Sequence, residues 1–189
     1  RVALRTEVGR PRLDLIEAAE RLALTGEDDA RARLLRAEFE LRTGGARAAL
    51  ISALRVGSST ATSSPHTCVQ ALLIATEARF VLGQLDEVVG QLDRADAALA
   101  LAPDDVLGVQ SEGLRAEYLV RTGQLAECRT ACQKSMRRAA EVGYVRGTAF
   151  SAARLGRVLR MLGRRREAEH QTRSARSGFA TTGDTLLDA

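Results

Sequence analysis

Apolar and small residues recur along this chain at helical spacing, and glycines interrupt the pattern at regular intervals. Four segments that end in such a glycine align with one another: LLRAEFELRTGG, LLIATEARFVLGQ, GLRAEYLVRTGQ and AARLGRVLRMLGR. Their turn glycines are Gly44, Gly83, Gly123 and Gly163, which lie 39, 40 and 40 residues apart. Glycine ends a helix readily because it adopts the left-handed backbone conformation. The pattern therefore predicts a repeat of about 40 residues.

Small side chains occupy fixed positions relative to these glycines. Seven residues before each glycine the chain has Ala37, Thr76, Ala116 and Gly156. Five and twelve residues after each glycine it has small or medium residues: Ala49, Val88, Cys128 and Ala168, then Val56, Ala95, Ser135 and Ala175. A period of 3.6 residues brings such positions to one side of a helix, where a second helix can approach closely. Each repeat is therefore predicted to be a helical hairpin.

We predict helices over residues 12–24, 28–43, 46–56, 66–82, 85–101, 104–122, 125–142, 144–162 and 165–181. The first of them lacks a hairpin partner. The stretch GSSTATSSP at residues 57–65 is predicted to be a flexible connection. Ser63 or Ser64 before Pro65 is expected to start the next helix.

This register resembles that of the tetratricopeptide repeat family, in which a small residue, a turn glycine and two later small residues recur in this order. The fourth repeat matches best, through Leu155, Gly156, Gly163, Ala168 and Ala175. The likeness covers residues 28–181, but the family's usual period is about 34 residues. The bulky aromatic residue of its second helix is replaced here by Ala53, Leu92, Cys132 and Thr172. The resemblance implies an all-α, right-handed superhelix (solenoid) of hairpins.

Helical repeats of the HEAT and armadillo type are the alternative, since their periods are roughly 40 to 47 residues. The turn glycines and the register of small residues favour the tetratricopeptide type. We expect a single repeat domain over residues 1–189, with a half repeat at 10–26 and full repeats at 28–56, 66–101, 104–142 and 144–181. Because the chain begins with Arg1, we expect it to be a piece of a longer polypeptide. Its elongated repeats resemble arrays in large bacterial signalling and transcription regulators.

The composition supports a helical protein and excludes several classes. Aromatic residues make up 3% of the chain and tryptophan is absent, so a large aromatic core is excluded. No apolar run approaches the roughly 18 to 20 residues that a membrane span needs. The three cysteines cannot form a disulfide framework and suit a reducing compartment, so we expect a cytoplasmic location.

In the tetratricopeptide family the first helix of each hairpin lines a concave groove for partners. Six residues before each turn glycine, at a position that the family pattern places on this groove, the chain has Glu38, Glu77, Glu117 and Arg157. The three carboxylates could form an acidic ladder for a basic peptide or a cationic ligand, or they could be ordinary solvated surface beside arginines. The first interpretation requires Glu77 and Glu117 to face solvent. Most apolar positions nearby are expected to pack internally, and Phe80 is the candidate for an apolar groove contact.

Positive charge is concentrated late in the chain, where residues 137–176 have 11 basic and 3 acidic residues. One helix has a stripe of arginines three or four residues apart, and two more follow at the next turn: Arg154, Arg157, Arg160 and Arg164, then Arg165 and Arg166. Such a basic patch could bind an acidic partner segment or a nucleic-acid backbone, or it could be covered by the chain that follows. Nucleic acid is the less favoured partner because no aromatic residues alternate with the arginines for base stacking.

Catalytic and metal-binding patterns are missing from the sequence. The two histidines, His66 and His170, lie on different repeats without recognisable catalytic neighbours. Cys128 and Cys132 share a helix face but fall in the small-residue register, which favours buried packing over metal binding. No phosphate-binding glycine loop is present. We expect no enzyme activity, no cofactor and no metal.

Three functions remain open at this point. The first is a scaffold that binds a protein or peptide in the groove. The second is an arm that senses a small ligand, which would raise the melting temperature on binding. The third is contact with nucleic acid through residues 154–176, which would weaken steeply with salt.

Overall fold

This computed structural model describes residues 5–6, 10–11, 13–58 and 64–183, and nine helices lie within the last two of these ranges. They are α1 (Leu13–Arg21), α2 (Gly26–Arg42), α3 (Ala46–Ser58), α4 (Pro65–Leu82), α5 (Val88–Leu101), α6 (Asp105–Arg121), α7 (Leu125–Glu141), α8 (Val145–Met161) and α9 (Arg165–Thr182). Two short strands, β1 (Arg5–Thr6) and β2 (Arg10–Pro11), pair antiparallel ahead of α1. The predicted all-α class is confirmed.

The helices fall into two compact units, which are described separately. Unit 1 (Arg1–Asp104) contains α1 to α5, and unit 2 (Asp105–Ala189) contains α6 to α9. Within each unit, consecutive helices pack on one another. In addition, α2 packs on α4 and α6 packs on α8, so the first helices of successive hairpins are neighbours. This is the arrangement that stacked helical repeats require.

The turn glycines have the conformation that the sequence predicts. Gly44, Gly83, Gly123 and Gly163 all have positive φ, between 72° and 92°. At Gly83 the backbone N–H bonds to the carbonyl of Phe80, and the next N–H bonds to that of Arg79, which closes the last turn of α4. An L-residue other than glycine would be strained at such a position.

Small residues allow close helix packing at the predicted positions. Ala37 and Ala49 are fully buried in unit 1, as are Ala116 and Cys128 in unit 2. At Gly156 the approach of α9 is close, because an added Cβ would lie 3.0 Å from Thr172 Oγ1. The small-residue register thus marks where the helices of a hairpin meet.

The start of α4 is fixed by side chains as well as by backbone. Ser64 is the N-cap, its Oγ accepts a hydrogen bond from the N–H of Thr67, and Pro65 is the first helical residue. Glu27 of α2 accepts hydrogen bonds from the N–H of Ser64 at 2.6 Å and from Thr67 Oγ1 at 2.7 Å. Of the predicted connection at 57–65, residues 57 and 58 are the end of α3, and 59–63 lie outside the described residues.

The predicted helix limits differ from the observed ones by up to three residues. The largest difference within a hairpin is at α5, which begins at Val88 instead of residue 85. The buried guanidinium of Arg79 explains this start, because it donates to Gln84 Oε1 at 3.3 Å and to the carboxylate of Glu87. These bonds hold residues 84–87 as a turn before α5.

Candidate functional site

In unit 1 the predicted ladder is represented by Glu38 and Glu77. Glu38 is half-buried on α2, and Glu77 is exposed on α4. Phe80, the proposed apolar groove contact, is only 5% exposed, so the expectation that its ring is open to a partner is wrong. The reason is that α4 packs against α2, α3 and α5, which buries nearly all of its circumference.

In unit 2 the carboxylate of Glu117 lies at the centre of a group of arginines. Arg121 Nε is 2.8 Å from Oε1 of Glu117, and Arg157 Nη2 is 2.7 Å from Oε2. Arg154 Nε is 3.3 Å from the same Oε2. We call these four residues the α6–α8 cluster, because Glu117 and Arg121 lie on α6 and the other two on α8. Glu117 is 9% exposed, so the prediction that it faces solvent is wrong.

The stacking of successive repeats explains why Glu117 is buried. Residues 117 and 157 occupy equivalent places in successive repeats, and the packing of α6 on α8 makes such places neighbours. The carboxylate at 117 therefore meets an arginine where an acidic ladder would have placed another carboxylate. The sequence signal was available, since a change of sign between stacked equivalent positions predicts an ion pair.

The arginines control the ionisation of Glu117. Burial raises the pKa of its carboxyl, but the hydrogen bonds from Arg157 and Arg121 and the charge of Arg154 lower it more, so the pKa lies below its ordinary value of 4.5. A carboxyl whose pKa is lowered by folding stabilises the folded state while it is ionised. Its contribution is complete above about pH 4.5 and is lost as the pH falls through the lowered pKa.

Glu117→Gln is therefore expected to reduce the acid sensitivity of unit 2. The wild-type chain should lose more stability between about pH 6 and about pH 3 than this variant, although the variant is less stable near pH 7. Denaturant midpoints followed by tyrosine fluorescence measure this, because Tyr118 and Tyr144, the only tyrosines, both belong to unit 2. Parallel pH profiles for the two proteins would contradict the proposed role of Glu117.

The predicted basic patch is not one surface in the structure. Arg154 and Arg157 turn to Glu117, and Arg164 pairs with Glu167 at 2.6 Å. Arg166 is exposed on α9. Only Arg160 and Arg165 of the predicted set line a common depression.

This depression lies between α8 and α9 and has a volume of about 390 Å³. Its lining includes two arginines that the sequence analysis missed, Arg173 and Arg176, together with Ala168, Glu169 and Thr172. A signal for them existed, since residues 165, 169, 172, 173 and 176 share one face at helical spacing. We call this feature the α8–α9 depression.

The cysteine pair of α7 is buried, as predicted. Cys128 and Cys132 are both fully buried, their sulfurs lie 3.8 Å apart, and the Cys128 thiol donates to the carbonyl of Ala116. The hydrogen bond with the Cys128 thiol, together with burial, raises the pKa of the Cys132 thiol, so that sulfur stays protonated. No group of three or more metal-ligating side chains occurs in the described ranges.

The two histidines lie in separate units. His66 lies 3.5 Å from Asp104 in unit 1, and His170 is exposed on α9 in unit 2. Within residues 13–58 and 64–183, no helix is long and apolar enough to cross a membrane.

Comparison with known proteins agrees with this architecture. The sequence profile of the tetratricopeptide repeat matches residues 109–179. Among solved structures, the chain resembles a crystal structure of nearly identical tetratricopeptide-like repeats from Podosopora anserina, named as a kinesin light chain. The TM-score is 0.59 at 16% identity, over 89% of this chain and 84% of the other, a similarity of fold alone. No curated protein matches the sequence.

Proposed function

Because the chain is a tetratricopeptide-like helical repeat protein, we propose that it is a non-enzymatic scaffold that binds a protein or peptide. Repeats of this type support protein interaction in general, since stacked hairpins present extended surfaces to partners. The finer proposal is a partner-docking part of a bacterial signalling or transcription regulator in the cytoplasm. That context rests on the resemblance of the elongated repeats to the arrays of such regulators.

The α6–α8 cluster is the observation that best supports a binding role. One carboxylate is shared by three guanidiniums, which leaves two positive charges in excess at this face. The side chain of Arg157 is 46% exposed although it is fixed by Glu117. A guanidinium has five N–H donors in a planar fork, so donors remain for a partner.

Fixation of these arginines favours binding by lowering its entropic cost. Arg154 lies over the ring of Phe150, 5.7 Å from the centroid, and its side chain is only 19% exposed. A side chain that is ordered before binding loses less freedom when the partner arrives. The cluster therefore suits a partner that offers carboxylates or backbone carbonyls.

Replacing Arg157 is expected to weaken partner binding with little loss of stability. In Arg157→Ala, Glu117 still has Arg121 and Arg154 as partners, so the free energy of unfolding should fall by about 1 kcal/mol or less. The immobilised full chain is exposed to a bacterial lysate at about 0.1 M and about 0.5 M salt, and retained proteins and nucleic acids are identified. We expect a specific protein to stay bound to the wild type at high salt and to be depleted several-fold on the variant.

Arg137→Ala is the matched control, because Arg137 is exposed on α7 and lies outside the cluster. It should retain the partner as the wild type does. Retention of nucleic acid alone, lost at high salt, would replace the scaffold proposal with a nucleic-acid role.

A further inference from the structure

The open face of the α8–α9 hairpin has arginines where the preceding hairpin has packing residues. Shifting by one repeat of 40 residues pairs Arg160 with Val120, Arg165 with Leu125, Thr172 with Cys132 and Arg176 with Met136. Ala168 is the equivalent of Cys128, and both are buried. The two hairpins therefore share a shape at this position but differ in charge.

In the preceding hairpin this face receives a helix. Val120, Cys128 and Cys132 are buried in one cluster with Leu155 and Leu159 of α8, and Leu125 and Met136 pack against the same cluster. α8 thus packs against this face of α6 and α7. The α8–α9 depression has the equivalent position, so its shape suits a helix.

The charge of the depression selects the helix that can bind. The lining contains one acidic residue, Glu169, and four arginines, so it has three positive charges in excess. The arginines are Arg160, Arg165, Arg173 and Arg176. A helix with an apolar packing face, like the face that α8 presents to α6 and α7, would leave these guanidiniums buried without partners, which is costly. A helix with carboxylates would pair them, and Ala168 and the arginine methylenes would contact its apolar atoms.

We propose that the α8–α9 depression is a docking site for an acidic helical segment of a partner protein. Aspartate and glutamate side chains on one face of that helix bind Arg160, Arg165, Arg173 and Arg176. The inference rests on the proposed scaffold function and adds a second site, with the chemistry of the partner segment that binds there.

A protein partner is favoured over nucleic acid by the lining itself. No aromatic side chain lines the depression to stack on a base, and Glu169 would repel a phosphate backbone. Carboxylates spaced three or four residues apart on a helix fit Arg173 and Arg176, which are three residues apart along α9, and Arg165 lies on the same face about two turns earlier.

The test uses the full chain and a fluorescein-labelled helical peptide of about 16 residues, with glutamates three and four residues apart in an alanine and leucine background. Binding is followed by fluorescence anisotropy at about 0.15 M salt. We expect the double variant Arg173→Glu with Arg176→Glu to lose at least about tenfold in affinity. The same peptide with glutamine for every glutamate should bind at least about tenfold more weakly to the wild type.

A control variant helps to locate the site. Arg137→Glu makes the same type of charge reversal at one exposed position on α7, half of the change in the double variant, and should alter affinity less than about twofold. Tyrosine fluorescence checks that unit 2 of each variant is folded.

Three results would overturn the inference: equal affinity for the glutamine peptide, equal affinity of the double variant, or an equal loss in Arg137→Glu. Tighter binding of a DNA duplex of similar length would assign the site to nucleic acid instead. Failure here is distinguishable from failure of the scaffold proposal. If the lysate partner stays bound to the double variant, the scaffold stands and only this site is wrong.

Discussion

Replacing Glu117 with lysine is expected to lower the free energy of unfolding of unit 2 by about 3 to 5 kcal/mol. The change removes the carboxylate that pairs with Arg121, Arg154 and Arg157, and it places a fourth positive charge among them. The site of Glu117 and the side chain of Arg154 are largely buried, so water replaces the lost carboxylate only in part. The penalty thus contains both an unpaired buried charge and like-charge repulsion.

Glu77→Lys is the matched control, because Glu77 occupies the equivalent position one repeat earlier and is exposed. It should change stability by about 0.5 kcal/mol or less. Guanidinium chloride unfolding of both variants is followed by tyrosine fluorescence, which reports unit 2, and by circular dichroism, which reports all helices. Equal tyrosine midpoints for Glu117→Lys and the wild type would show that the α6–α8 cluster does not stabilise the fold.

Replacing Phe179 with alanine is expected to lower the free energy of unfolding of unit 2 by about 3 to 5 kcal/mol. Phe179 is 4% exposed and packs edge-on against Phe150, with ring centroids 4.9 Å apart. Its other buried neighbours are alanines: Ala149, Ala152 and Ala175. The alanine side chains are too short to extend into the cavity that the ring leaves, and of the longer side chains packed against this cluster, Met136 and Phe150 are only partly buried.

A graded pair of variants tests this interpretation. Phe179→Leu keeps most of the apolar volume and should lose clearly less stability than Phe179→Ala. Leu162→Ala, at an exposed position after α8, should change stability by about 0.5 kcal/mol or less. Denaturation is followed by tyrosine fluorescence as for Glu117. If Phe179→Ala and Leu162→Ala lower the free energy of unfolding equally, the packing of the Phe179 ring does not stabilise α9.

The sequence predicted the helical hairpins well because their limits depend on local chemistry. Gly83 ends α4 through its own backbone conformation, and Ser64 and Pro65 start it through a cap and a fixed φ. Each of these signals acts within one turn of the helix. The same reasoning does not reach contacts between helices, where the errors occurred.

Glu117 and Phe80 show why the site was harder to predict. Both were placed on a solvent-facing groove from their position relative to a turn glycine. Burial depends instead on how many helices surround each face, and α4 and α6 have neighbours on more sides than an isolated hairpin would. Phe179 was missed for a related reason, because the family's aromatic position lies seven residues earlier, at Thr172.

The bonds from Glu27 to Ser64 and Thr67 join the starts of α2 and α4 directly, so these two helices are held in register by contacts of their own. Closing a longer chain segment costs only about 0.6 kcal/mol for each doubling of its length. We therefore expect residues added between positions 58 and 64 to change the free energy of unfolding little, provided that the bonds to Glu27 remain.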